Sequence, residues 1–215
     1  MGTAFSGWPA EALDFYRGLE ADNSKAYWTD HKHVYETSVL GPMQALLEDL
    51  AEEFGEARVF RPYRDIRFSA DKSPYKTAIG ATLASGGYVQ LSASGLGVGA
   101  GCHVMAPDQL ARFRSAIDDD RAGAALEAAI AEVESTGVEV TARERLKRVP
   151  RGSDPEHPRA DLLRDKDLAA WKNWPVAPWL HTRAAEQRVV DALRASRPLT
   201  DWLDAHVGPP TAALR

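Results

Sequence analysis

The chain has 215 residues and a formal net charge of −5, from 26 basic and 31 acidic side chains. Apolar residues make up 44% and charged residues 27%, ordinary globular values that exclude a disordered chain or a coiled coil. At roughly 150 residues per domain, the length predicts a single domain, residues 1–215. The negative charge argues against general affinity for nucleic acid or anionic membranes. One cysteine excludes an internal disulfide, and the first thirty residues lack the apolar run of a signal peptide, so a cytoplasmic protein is expected.

The N-terminal segment, about residues 9–55, predicts three helices. Apolar residues keep helical spacing in its first part. Asn23 or Ser24 is a fitting N-cap for a second helix that runs to about Thr37, and Gly41-Pro42 is expected to interrupt that helix. A third helix follows, and its apolar stripe is formed by Met43, Leu46, Leu47, Leu50 and Phe54.

Residues 58–76, called the basic loop below, carry six basic and two acidic side chains, whereas residues 11–56 carry three basic and eleven acidic ones. In an extended chain, successive side chains point to opposite faces. One face would then hold Phe60, Pro62, Arg64, Ile66 and Phe68, and the other Arg61, Tyr63, Asp65 and Arg67. Arg64 would lie among apolar neighbours, where a guanidinium needs a carboxylate or several carbonyl partners.

The composition of the basic loop suits a small anionic ligand. Arginine forks, hydroxyls and a turn that exposes N–H groups together favour binding of a phosphate, sulfate or carboxylate. The candidate ligand-binding residues of the loop are Arg61, Arg64, Arg67, Ser69, Lys72 and Lys76. If the protein is an enzyme, which the sequence leaves open, Asp65 or Asp71 would be the base and Tyr75 a proton donor or orienting hydroxyl.

An alternative hypothesis is that the basic loop binds no ligand. Asp65 and Asp71 would then pair internally with the arginines, and the protein would be a non-catalytic interaction or structural module. Nucleic acid is a disfavoured partner, because the N-terminal stretch before the loop has a net charge of −8. The sequence does not identify a protein partner.

Residues 77–107 contain no Asp, Glu, Lys or Arg, yet seven glycines and a period-two alternation exclude a membrane-spanning helix there. With Gly86-Gly87 as a turn, the alternation predicts an antiparallel three-stranded meander over about 78–104. Glycines at alternate positions of the last strand predict close approach of a neighbouring backbone. The stretch Gly95-x-Gly97-x-x-Ala100 fits a loose dinucleotide fingerprint but lacks the helix that should follow it, so no cofactor is expected.

Helical signals dominate the C-terminal part, about residues 107–207. Asp154-Pro155 should start a short helix through Leu163, and a longer helix from Ala184 should end at Arg197-Pro198. Helices on both sides of a run of strands predict an α+β fold, an antiparallel sheet with a central meander flanked by several helices.

Two basic residues and three tryptophans in this C-terminal part are further candidates for ligand binding. Lys147 and Arg148 lack a structural explanation and are added to the candidate anion ligands. Trp171, Trp174 and Trp179 could stack on a planar ligand, although clustered indoles usually seal the edge of a core.

Metal sites and nucleophiles are poorly supported. His31 and His33 point in different directions on a helix, and Cys102 and His103 point to opposite faces of a strand, so neither pair can share an ion. Cys102 is expected to be an inert thiol among small residues. The acidic run at 118–120 is expected to supply N-caps, and no metal is predicted.

The block from Arg64 to Thr77, R-D-x-R-F-S-x-D-K-S-P-Y-K-T, resembles the uncharacterised bacterial family catalogued as domain of unknown function 2461. The resemblance extends over nearly the whole chain and includes the blocks Ala21–Trp28, Gly87–Leu91, Leu146–Pro158 and Arg197–Leu199. The tryptophan-rich stretch at 169–179 departs from the family pattern. The resemblance implies one compact domain and supplies no activity.

Overall fold

The structure is a computed structural model that describes residues 4–67 and 69–211. Phe68, which the extended-chain pattern placed beside Arg64, lies outside the described residues. The chain forms two compact units: one takes residues up to Val98 together with Asn173–Asp191, and the other takes Gly99–Lys172 and the residues from Ala192 onward. That residues 1–215 act as one domain stays a prediction.

The α+β prediction is confirmed. The helices are α1 (Ala10–Ala21), α2 (Lys25–Val34), α3 (Gly41–Phe54), α4 (Pro107–Asp118), α5 (Asp120–Ser135), α6 (Ala160–Arg164), α7 (Ala184–Ala195) and α8 (Arg197–His206). The strands are β1 (Ala57–Val59), β2 (Ala78–Leu83), β3 (Gly87–Ser92), β4 (Gly95–Cys102), β5 (Glu139–Thr141) and β6 (Leu168–Pro175). They form one sheet in the order β1-β2-β3-β4-β6-β5, antiparallel in the pairs β1–β2, β2–β3 and β5–β6.

The N-terminal helices of the first unit follow the predicted apolar pattern. Ser24 is the N-cap of α2, since its hydroxyl accepts a hydrogen bond from the Tyr27 N–H at 3.1 Å. Within α2, Trp28 is buried and Tyr27 half-buried. The predicted α3 stripe is buried in full: Met43, Leu46, Leu47, Leu50 and Phe54.

The expected interruption at Gly41-Pro42 is wrong. A π-helical stretch, Tyr35–Leu40, joins α2 to α3, so the chain remains helical from Lys25 to Phe54. Pro42 lies in the first turn of α3. A proline inside a continuous helix leaves one carbonyl of the preceding turn without its N–H donor, and the π-helical turn directly before Pro42 changes the hydrogen-bond register there.

The predicted meander is confirmed as β2, β3 and β4, and its last strand ends at Cys102, two residues short of the predicted end. Ile79 pairs with Leu91 and Ala81 with Val89. All four of these side chains are buried. The close approach predicted for the β4 glycines is also confirmed, because a Cβ atom on Gly95 would lie 2.1 Å from the Trp174 carbonyl oxygen.

Three strands, β1, β5 and β6, were not predicted, and the extended segment of the basic loop is not a regular strand. Strand β6 lies where only helices were expected, and β5 pairs with it. The alternating residues of the basic loop form only an isolated bridge between Tyr63 and Tyr75. The regular strand next to them is the shorter β1, which pairs with β2.

The second unit packs its helices around an apolar cluster that includes Phe113, Leu126 and Trp202. The acidic run supplies an N-cap as predicted, since Asp119 Oδ1 accepts from the Ala122 N–H at 2.7 Å. The short helix expected from Asp154 begins later, as α6. Asp154 caps a turn instead, because Pro158 disfavours helical backbone at the residue before it. Within the described ranges, every helix is too short or too polar to cross a bilayer.

Candidate functional site

A cavity of about 590 Å³ lies beside the basic loop in the first unit. It is called the loop cavity below, and its lining is Glu20, Asn23, Phe60, Arg64, Asp71, Ser73, Tyr75, Lys76, Thr77, Ala78, Gly80, Tyr88 and Gln90. These residues come from α1, the α1–α2 turn, the basic loop, β2 and β3. The volume is in the range of cavities that hold small molecules.

The basic loop is folded back on itself at its two tyrosines. The Arg64 N–H donates to the Pro74 carbonyl at 2.9 Å, and the Lys76 N–H donates to the Pro62 carbonyl at 2.8 Å. These two bonds form the bridge between Tyr63 and Tyr75. They also place Arg64 and Lys76, which are twelve residues apart in the sequence, in the lining of the same cavity.

The start of α2 holds the second arm of this loop. The side-chain amide of Asn23 donates to the Tyr75 carbonyl at 3.1 Å, and its Oδ1 accepts from the Tyr75 N–H at 3.0 Å. The ring of Trp28 stacks on the Tyr75 ring, with centroids 4.5 Å apart and planes 7° from parallel. The sequence predicts Asn23 only as a possible N-cap. The one sequence signal for its contact with Tyr75 is the family resemblance of the block Ala21–Trp28.

Arg64 and Asp71 form an ion pair inside the loop. Asp71 Oδ1 also accepts from the Ser73 N–H at 2.9 Å. The Arg64 guanidinium, helped by Ser73, holds the pKa of the Asp71 carboxyl well below its usual range. Pro62, Arg64 and Ile66 are half-buried, whereas Arg61, Tyr63, Asp65 and Arg67 are exposed, so the predicted alternation of two faces holds for the described residues of the segment. Arg64 has the carboxylate partner that its position requires.

A second ion pair lies outside the cavity lining. Arg67 donates to both carboxylate oxygens of Asp65, at 3.0 and 2.7 Å, and its side chain is 76% exposed. This bidentate pair lowers the pKa of Asp65, with the Arg67 hydrogen bond as the main cause. Arg67 and Asp65 therefore neutralise each other at the surface, as expected if the acidic residues of the loop pair internally with its arginines.

The remaining loop candidates also lie outside the lining of the loop cavity. Lys72 Nζ donates to the Ile66 carbonyl at 3.0 Å, and the Ser69 N–H donates to the same oxygen at 3.4 Å. Arg61 is exposed. Of the residues proposed for ligand binding or catalysis in the loop, the cavity brings together Arg64, Asp71, Tyr75 and Lys76.

Lys76 is the cation of the cavity that lacks an acidic partner. It is half-buried, its Nζ lies 5.1 Å from the centroid of the Phe60 ring, and no carboxylate of the described residues forms an ion pair with it. Burial lowers the pKa of Lys76, and the nearby charge of Arg61 lowers it further. An ammonium in such a place is incompletely solvated and attracts an anion.

An aromatic pair forms another part of the cavity wall. The Tyr88 ring lies 6.1 Å from the Phe60 ring, and the Tyr88 hydroxyl donates to Gln90 Oε1 at 2.9 Å. The ring lies across β2 at Gly80, where an added Cβ atom would be 2.4 Å from the Tyr88 oxygen. Neither Phe60 nor Tyr88 is among the binding residues predicted from the sequence, where the alternation of apolar and polar positions is their one signal.

The other residues considered for ligand binding are not in the lining of the loop cavity. Lys147 and Arg148 belong to the second unit, where both are exposed, and their role in anion binding stays a prediction. Trp174 and Trp179 make an edge contact in the first unit, where Arg188 lies over the Trp179 ring. This contact agrees with a packing role.

Cys102 is half-buried in the second unit. Burial raises the pKa of its thiol, as expected of an unreactive cysteine.

Comparison with protein-family models matches residues 11–202 to the family described as conserved hypothetical protein, DUF2461. Searches among curated proteins and among solved structures gave no significant match. The matched range contains the basic loop, the Asn23 turn and both strands that line the loop cavity, so the whole cavity is part of the family's region. Because the match spans most of the 215 residues, the resemblance noted in the sequence is confirmed, and the chain belongs to the DUF2461 family of conserved hypothetical proteins.

Proposed function

We propose that the loop cavity binds a small molecule through a phosphate, sulfate or carboxylate group, with Lys76 as the principal cation. The observation that carries the proposal is the position of Lys76: half-buried, in the cavity lining, and without an ion pair among the described residues. A charge-assisted hydrogen bond to an anion would replace the solvation that this ammonium has lost.

Neighbouring groups support an oxyanion at this place. Arg64 lines the same cavity and is held there by Asp71. The Thr77 hydroxyl belongs to the same lining and can donate a hydrogen bond, whereas the Ser73 hydroxyl is already bonded to the Asp71 carboxylate. Two cations and the Thr77 hydroxyl around one concave surface are a suitable set of donors for the several oxygens of such a group.

The residues suggested as a catalytic base or proton donor are poorly suited to either role. The pKa values of Asp65 and Asp71 are both lowered by arginine partners, which makes their carboxylates weak bases. The pKa of Tyr75 is raised by burial, which makes its hydroxyl a weak proton donor at neutral pH. The proposal is therefore one of binding, and an enzymatic role is not part of it.

Titration with inorganic phosphate and sulfate, followed by thermal unfolding and calorimetry, tests the proposal. We expect both anions to raise the melting temperature of the wild type, and Lys76→Ala to remove this increase while the protein stays folded. Lys25→Ala is the matched control, because Lys25 is an exposed lysine of the same unit outside the cavity lining. The proposal fails if neither anion stabilises the wild type, or if Lys76→Ala keeps the full effect.

One observation favours the alternative of a structural module. Arg64 and Arg67 each have a carboxylate partner within the loop. If the loop only holds itself together, Arg64→Ala will unfold the protein, and phosphate will have the same negligible effect on the wild type and on Lys76→Ala.

A further inference from the structure

We propose that the ligand of the loop cavity is a zwitterion, with its anionic group at Lys76 and a cationic amine at Glu20. This inference rests on the proposed function, because it assumes that an anionic group binds at Lys76. It adds the class of molecule: a small compound that carries one group of each sign, of the kind found in amino acids and amino-alcohol phosphates.

The charges of the lining carry the inference. Four ionisable side chains of full charge line the cavity: Arg64, Asp71, Lys76 and Glu20. Arg64 and Asp71 neutralise each other in their ion pair. Lys76 and Glu20 remain, and no ion pair joins them within the described part of the chain. The lining residues therefore present one uncompensated positive charge and one uncompensated negative charge, with a formal sum of zero. Arg61, outside the lining, adds positive potential on the Lys76 side.

The position of Glu20 at the end of α1 adds to the negative potential at that part of the cavity wall. Glu20 lies in the last turn of α1, which ends at Ala21, and the last turn of α1 contains no basic residue. The C-terminal end of a helix carries a partial negative charge from its unpaired carbonyl groups. The carboxylate and the helix end thus favour a cation at the same part of the wall.

A ligand that is only anionic would bind this cavity less tightly than a zwitterion of similar size. Its charge would be attracted by Lys76 and repelled by Glu20, and the two effects would partly cancel. A cationic amine on the same molecule would turn the repulsion into a second attraction. The rings of Phe60 and Tyr88 provide an apolar surface in the same cavity for the carbon atoms that join the two groups.

Matched small molecules test the inference by calorimetry. Inorganic phosphate, ethanolamine and O-phosphoethanolamine form one set, and propionate with β-alanine forms a second set for carboxylates. We expect the zwitterion of at least one set to bind up to about fivefold more tightly than its anion-only counterpart, because Glu20 is exposed and this is the upper size of an exposed ion pair. Ethanolamine alone should bind weakly.

Substitution of the carboxylate locates the effect. Glu20→Gln should remove the advantage of the zwitterion and leave phosphate binding equal or slightly tighter, because a repulsive charge has gone. Glu11→Gln, in the first turn of the same helix, is the matched control and should keep the advantage.

The possible outcomes separate this inference from the proposed function. If phosphate or propionate binds through Lys76 but neither zwitterion binds more tightly, the zwitterion inference is wrong and anion binding stands. If the advantage is present and survives Glu20→Gln, Glu20 is not the amine's partner and the inference is also wrong. If no molecule of either set binds, both proposals fail.

Discussion

Asn23 pairs through its side chain with both backbone groups of Tyr75, a residue 52 positions further along the chain. The amide imitates the hydrogen bonding of a neighbouring strand, and it is supplied by the turn before α2. Because Lys76 directly follows Tyr75, this contact fixes the backbone from which the cavity's unpaired ammonium extends. The ring of Trp28 on the ring of Tyr75 adds a second contact between the same two segments.

Asn23→Ala should lower the free energy of unfolding by about 1–3 kcal/mol, because the Tyr75 N–H and carbonyl both lose their partner. Asn23→Asp should also destabilise the protein, since a carboxylate keeps the acceptor for the N–H but places a second acceptor oxygen against the Tyr75 carbonyl. Urea denaturation measures both effects, with the exposed Asn173→Ala as the control. Equal stability of Asn23→Ala and the control would contradict the role given to Asn23.

Gly80→Ala should move the Tyr88 ring, because the new Cβ atom would lie 2.4 Å from the phenol oxygen. Overpacking of this kind costs about 1–3 kcal/mol of stability. In a Tyr88→Ala background the same substitution should be nearly harmless, since the obstructing ring is gone. A double-mutant cycle measures the difference, and additivity to within about 0.5 kcal/mol would show that the two residues do not compete for space.

The Arg64–Asp71 pair should make stability depend on pH in the acid range. Because the pKa of Asp71 is lowered in the folded protein, its carboxylate stabilises the fold above its ordinary pKa of about 3.9, and this stabilisation is lost as pH falls through the lowered pKa. We therefore expect wild type to exceed Asp71→Asn in stability at neutral pH, and the gap to close below about pH 4.

Denaturation curves over a pH series measure that gap. Asp30→Asn, at an exposed site on α2, supplies the baseline for removal of a carboxylate elsewhere in the unit. A gap that stays constant from neutral to strongly acidic pH would mean that the ion pair contributes nothing to folding.

Arg159→Ala should strongly destabilise the second unit. The Arg159 side chain is only 8% exposed and donates to the carbonyls of Ile117 and Asp120 and to the Glu127 carboxylate. Loss of these bonds and of the filled volume should cost about 3 kcal/mol, and Arg159→Lys should recover only part of it, because a lysine lacks the planar fork. Thermal unfolding against the exposed Arg151→Ala measures the effect, and similar melting temperatures would contradict it.

Local periodicity predicted much of the fold. The α3 stripe from Met43 to Phe54 and the alternation of β2 and β3 are each produced by a face that packs on one side, so the period alone identifies them. Strand β6 carries no such signal, because its sequence, Leu-Ala-Ala-Trp-Lys-Asn-Trp-Pro, does not alternate between apolar and polar residues. Its state depends on β5 and β4, which lie beside it in the sheet.

The candidate site was predicted only in part, for a related reason. The sequence placed Lys76 and Arg64 in one basic loop, but it could not distinguish them from Arg67, whose own neighbour Asp65 satisfies it. Glu20 and Asn23 come from more than thirty residues earlier in the chain. Only the folded contacts bring them to the cavity, so no local pattern could include them.

The π-helical stretch Tyr35–Leu40 determines the direction in which the following helix presents its apolar side. Each residue of an α-helix turns the chain by about 100°, so removing one residue to restore regular winding would rotate the whole Met43–Phe54 stripe by roughly that angle. The stripe would then be turned away from its present packing partners. The extra residue in the π-helical turn therefore shifts the helical register, so that the apolar sides of α2 and α3 face different directions within one continuous helical segment.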